Sequence, residues 1–151
     1  MSMVGEFNKA LRMNCKGFGV DNGGGSRRTK SIVRFLDKAT GKPLLGLWVK
    51  EATRRHGSQG YFWGLNENQM DSLNKRTYPW WLILLFGTHE EGYVAKSEDV
   101  NSCVGSGRLT SQLSFRPPRS EYKIHETEIP RQFSKCQNFK EIFGTLGLSV
   151  E

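Results

Sequence analysis

Seven consecutive apolar residues, Trp80-Trp81-Leu82-Ile83-Leu84-Leu85-Phe86, constrain this chain more than any other segment. The run is far shorter than the ~20 residues a helix needs to span a bilayer, but it has the length of a β-strand. It does not alternate apolar with polar side chains, so both of its faces need cover. Pro79 marks its start. A chain with such a strand is expected to build a sheet around it and to pack other elements on both sides.

The rest of the chain supplies those elements. Gly5–Asn14 reads as a helix, with Phe7, Ala10 and Leu11 at helical spacing. Gly17–Val20 is a short strand, and Asp21–Ser26 is a glycine-rich loop. Ser31–Leu36 and Leu44–Lys50 read as two strands of a hairpin joined by the turn-forming segment Asp37–Pro43. Tyr61–Leu65 is a further strand. It leads into a helix start in which Asn66 caps, Gln69 stands three residues on, and Leu65 can staple onto Met70. That helix is predicted to reach about Arg76. Gly92–Ala95 is another strand, and Ser102–Gly107 a loop, with Glu90-Glu91 and Glu98-Asp99 in solvated turns. Leu109–Phe115 and Tyr122–His125 are late strands around Pro117-Pro118. Asn138 and Glu141 form a second capping box ahead of a helix carrying Phe139, Ile142, Phe143 and Leu146, ended by Gly147. The order predicts a single α+β domain over residues 1–151, with a mixed central sheet and flanking helices.

Charge is segregated along the chain. Residues 1–60 hold 12 Lys/Arg against 4 Asp/Glu, whereas residues 61–151 hold 10 against 11. Much of the excess lies in Arg27-Arg28-Thr29-Lys30 and in the segment from Lys50 to His56. A one-sided basic surface attracts polyanions, above all nucleic acid. No apolar segment of the signal-peptide kind opens the chain, which reads as cytoplasmic and without a membrane partner. Cys15, Cys103 and Cys136 are widely spaced and odd in number, as are His56, His89 and His125. They read as reduced thiols and isolated imidazoles without zinc-ligand spacing. Gly23-Gly24-Gly25 lacks the pattern of a phosphate-binding P-loop.

The stretch Ser31–Val100 resembles the core of the PD-(D/E)XK nucleases, the superfamily of many restriction enzymes. The matching features are a hairpin whose second strand ends in Lys50, a basic loop, an aromatic strand and a helix. An apolar strand and the Gly92–Ala95 strand follow, and the first helix carries Glu6. The resemblance implies a restriction-endonuclease-like fold and Mg²⁺-dependent cleavage of DNA. Lys50 would then stand beside the scissile phosphate, with carboxylates such as Asp37 and Glu6 on the metal. In that family an acid or Gln stands two residues before the lysine, on the same face of the strand. Here that residue is Trp48, which cannot ligate Mg²⁺. Asp37 reads more simply as a turn residue.

Three readings follow. The chain is a double-stranded DNA-binding protein of a restriction or DNA-processing system, with or without endonuclease activity. It is a non-catalytic domain that reads sequence or base modification, for which a β-barrel recognition domain of a restriction enzyme is the alternative fold. Or it is a protein-interaction domain whose charge is incidental. The DNA contacts expected are Arg27, Arg28 and Lys30, then Lys50, Arg54, Arg55 and His56, with Arg116 and Arg119 as a second phosphate contact. A homodimer and membership of a larger restriction protein both stay open.

Overall fold

A computed structural model describes residues 3–14, 17–21, 32–54, 60–88, 91–109, 111–115 and 118–145. Helix α1 (Met3–Asn14) is followed by strands β1 (Gly19–Asp21), β2 (Ile32–Leu36) and β3 (Pro43–Glu51). Strands β4 (Thr53–Arg54) and β5 (Tyr61–Asn66) lead to helix α2 (Glu67–Asn74). The apolar run becomes β6 (Trp80–Leu85), followed by β7 (Gly92–Lys96) and helix α3 (Ser97–Gly105). Strands β8 (Ser111–Phe115) and β9 (Pro118–His125), a 3₁₀ turn (Glu126–Glu128), strand β10 (Ser134–Cys136) and helix α4 (Phe139–Thr145) complete the described chain.

The strands form two sheets. The larger has six strands in the order β1-β2-β3-β6-β7-β10, and the smaller has four in the order β4-β5-β9-β8. Strand β3 runs parallel to β6, and every other pairing is antiparallel. The large sheet is therefore mixed, with the apolar run near its centre as its lack of alternation requires. The α+β class holds. Strands β5, β8 and β9, with β4, form the second sheet. Strand β6 takes the position beside β3, which displaces β5 to the layer above.

Alternating residues of β3 divide the core in two. Leu47 and Val49 pack with Phe7, Leu11, Val33, Phe35, Ile83, Leu85 and Ile142, the side covered by α1 and α4. Trp48 packs with Trp63, Leu65, Met70, Leu73, Leu82 and Leu84, the side covered by α2, α3 and the second sheet. Trp48, Val49, Trp63, Leu82, Ile83, Leu84 and Leu85 all have no solvent exposure. Trp80 is buried but Trp81 is half-exposed, with the Lys96 ammonium 5.7 Å from its ring centroid.

Local signals explain the helix starts. The Asn66 side chain accepts from the Gln69 backbone N–H at 3.0 Å. Asn138 does the same for Glu141 at 2.9 Å, while the Glu141 carboxylate takes the Gln137 N–H at 2.6 Å. The loop expected at Ser102–Gly107 is mostly helix, because α3 continues to Gly105. Val100 and Cys103, one turn apart, are buried beneath it, and that burial outweighs the weak helix propensity of Ser102 and Gly105. Glu98 and Asp99, read as turn residues, stand instead in the first turn of α3, where the helix dipole favours acids. Asn74 joins three elements. It exchanges two amide hydrogen bonds of 2.9 Å with Asn101 and accepts the Trp80 indole N–H at 3.1 Å.

Cys103 and Cys136 are free and buried, and burial pushes both thiols above their ordinary pKa. Among the described residues no helix is long and apolar enough to cross a membrane.

Candidate nucleic-acid interface

Because β3 and β6 are parallel, their C-terminal ends lie side by side. Register brings four residues into one row there: Lys50 of β3 pairs with Leu84 of β6, Leu84 with Tyr93 of β7, and Tyr93 with Lys135 of β10. Leu84 and Tyr93 face the second sheet, so Lys50 and Lys135 stand on that same side. At ~4.8 Å per strand, the two lysine Cα positions are about 14 Å apart. Lys135 is exposed and Lys50 half-buried.

The second sheet meets the first at this same end. The Leu85 carbonyl accepts from the Ala52 backbone N–H at 3.1 Å and from the Trp63 indole at 3.0 Å. Phe86 meets Tyr61 and Trp63 edge-on, with ring centroids 5.2 and 5.8 Å apart, and Trp63 meets Tyr93 at 6.0 Å. The Tyr61 N–H donates to the Glu126 carboxylate at 3.1 Å, which ties the start of β5 to the end of β9. A cleft of about 400 Å³ opens beside this cluster, lined by Phe86, Glu91, Tyr93, Lys135 and Gln137.

The described residues next to the basic segments have these positions. Strand β1 runs parallel to β3, so at Asp21 the chain is heading toward Lys50, and Ile32 re-enters level with Trp48. Arg27, Arg28 and Lys30, which lie between Asp21 and Ile32 in sequence, are outside the described residues. Arg54 pairs with Tyr61 in the β4–β5 ladder, next to the aromatic cluster. Arg55 and His56 lie outside the described residues, as does Arg116. Arg119 pairs with Ser114 in the β8–β9 ladder, far along β9 from the His125 end that meets Phe62. Arg34 is committed elsewhere. Its guanidinium grips Asp21 through two hydrogen bonds of 2.8 and 2.6 Å, which raise its pKa further.

Three residues expected to serve catalysis stand at three separate places. Asp37 is in the hairpin turn, at the opposite end of β3 from Lys50, a separation of roughly 23 Å along the strand. Its Oδ1 accepts from the Ala39 and Thr40 N–H groups at 2.7 and 3.3 Å, and Gly41 closes the turn with φ 72°. Glu6 is exposed on α1, which packs on the other face of the sheet from Lys50. Trp48, two residues before Lys50 on the same face of β3, is fully buried. Asp37 and Glu6, the two carboxylates named for the metal, therefore do not stand beside Lys50. No group of three His, Cys, Asp or Glu able to hold a metal ion occurs among the described residues. Asp37→Ala is expected to cost about 1 kcal/mol, the turn's side-chain hydrogen bonds, in denaturant unfolding. A variant of unchanged stability that lost a Mg²⁺-dependent cleavage would instead return Asp37 to the chemistry.

Lys135, Tyr93, Phe86 and Gln137 escape sequence reasoning. Ser134–Cys136 is too short to signal a strand, and nothing local reveals that it pairs with β7.

The chain matches no protein-family model, no curated protein and no solved structure.

Proposed function

We propose that this chain is a double-stranded DNA-binding protein of a restriction or DNA-processing system. It would grip phosphates with the end of the large sheet that carries Lys50 and Lys135. The observation that carries this reading is directional. Lys50, Lys135 and Arg54 all lie toward the carboxyl end of the parallel pair β3 and β6.

The order of elements also supports a restriction-endonuclease-like core. A helix precedes an antiparallel three-strand meander, a crossover containing a helix leads to a parallel strand, and an antiparallel strand follows. The buried Trp48 and the distant Asp37 favour a recognition role over cleavage within that framework.

The test is retardation of mixed-sequence duplex DNA across a salt series, with and without Mg²⁺. Wild-type protein is expected to retard the duplex without cutting it. The double variant Lys50→Ala, Lys135→Ala is expected to flatten the dependence of log K on log salt by about two counterions. An unchanged slope removes these lysines from the interface. Absence of retardation even at low salt removes the DNA reading itself, and cleavage that EDTA abolishes would establish the nuclease.

A further inference from the structure

The lining of the cleft beside the aromatic cluster is not that of a phosphate site. Two half-buried rings, Phe86 and Tyr93, form its walls. Gln137 and Glu91, both exposed, bring an amide and a carboxylate to its edge, and Lys135 adds one cation. Its volume, about 400 Å³, is within the range of sites that enclose a small planar ligand and far below what a base pair with both backbones requires.

These groups match one ligand chemistry closely. A nucleobase offers two π-faces for aromatic walls and an edge of alternating donors and acceptors. A glutamine amide can bond such an edge twice, and a carboxylate accepts from an exocyclic amine. The 5′- or 3′-phosphate of the same nucleotide would lie near Lys135. Inside a duplex both faces and the pairing edge are covered, so only a base outside the stack can enter. Tyr61, 37 % exposed, lies edge-on to Phe86, which lines the cleft. An apolar ligand would leave the carboxylate, amide and ammonium without a role, and a metal ion would find Glu91 as the one acid of the lining.

We propose that this cleft receives a single base turned out of the double helix, so that the protein reads an unpaired or displaced nucleotide while Lys50 and Lys135 hold the flanking phosphates. The inference rests on the DNA-binding reading and names the form of DNA that it takes.

Two labelled duplexes of the same sequence separate the claims, one perfectly paired and one with a single bulged 2-aminopurine. Fluorescence anisotropy of an end label gives affinity, and acrylamide quenching of the 2-aminopurine gives access to the base. The bulged duplex is expected to bind about tenfold more tightly, because the cost of unstacking has already been met. Its base is expected to become shielded from acrylamide on binding. Gln137→Ala, an exposed position, and Tyr93→Leu are each expected to bring the affinity ratio of the two duplexes toward one. Equal binding of both duplexes with an unshielded base would overturn the cleft assignment and leave DNA binding intact. Binding of neither would overturn both. A preference for the bulge that survives Gln137→Ala and Tyr93→Leu would place the base elsewhere and likewise overturn the assignment.

Discussion

Replacing Gly92 by alanine is expected to destabilise the protein by about 3 kcal/mol or more, among the largest effects of any single methyl addition. A Cβ on Gly92 would stand 1.8 Å from the Leu84 carbonyl oxygen and 2.8 Å from its carbon. Both are backbone atoms of the central strand, so no rotamer change relieves the contact. Strand β7 would have to move away from β6, and Gly92 is paired on both sides, with Leu85 and with Cys136. The displacement would therefore open two ladders at once. It would also distort the cleft, which Gly92 lines. Urea unfolding followed by tryptophan fluorescence measures the effect. A midpoint within experimental error of wild type would show that the β6–β7 register differs from the one described. Gly105→Ala is the control, since a Cβ there meets no atom within 4 Å.

Trp63→Ala is expected to cost about 3–5 kcal/mol, the range for truncating a fully buried large aromatic. Trp63 is the main rivet between the two sheets. It has no solvent exposure, its ring meets Phe86 and Tyr93, and its indole N–H reaches across to the Leu85 carbonyl. Truncation leaves a cavity between the layers and removes one of two donors to that carbonyl, with Ala52 retaining the other. Trp63→Phe separates the contributions. It keeps most of the apolar contact and loses the hydrogen bond, worth about 1 kcal/mol. Trp81→Phe serves for comparison, because Trp81 is half-exposed and its loss is expected to fall well below that of Trp63→Ala. Comparable losses at the two tryptophans would contradict the layered arrangement.

Much of the fold was legible in local pattern. The hairpin of β2 and β3, the capped start of α2 and the unalternating β6 all rest on interactions within a few residues. Asn66 shows this well: its side chain bonds Gln69 whatever surrounds them. Register was less accessible. The β2–β3 ladder pairs Ile32 with Trp48 and Phe35 with Leu45 but Leu36 with Pro43, an irregularity that no local pattern announces. Since side chains alternate, a slip of one residue changes which face each presents. The α3 helix was missed because Ser102, Gly105 and Gly107 read as a loop, while its helicity depends on burying Val100 and Cys103 against distant strands.

The candidate site divides in the same way. Lys50 and Arg54 belong to a basic segment visible in the sequence. Lys135 and Tyr93 became their neighbours only through pairing across β6, β7 and β10, between residues up to 85 positions apart. By itself the sequence determined the class of fold, the central strand and the segregation of charge, because composition, periodicity and caps act locally. The tertiary structure alone decided that β3 and β6 run parallel, that the aromatic strand lies in a second sheet, and that a cleft opens where they meet. Those outcomes depend on which distant surfaces bury one another, and no local pattern specifies that choice.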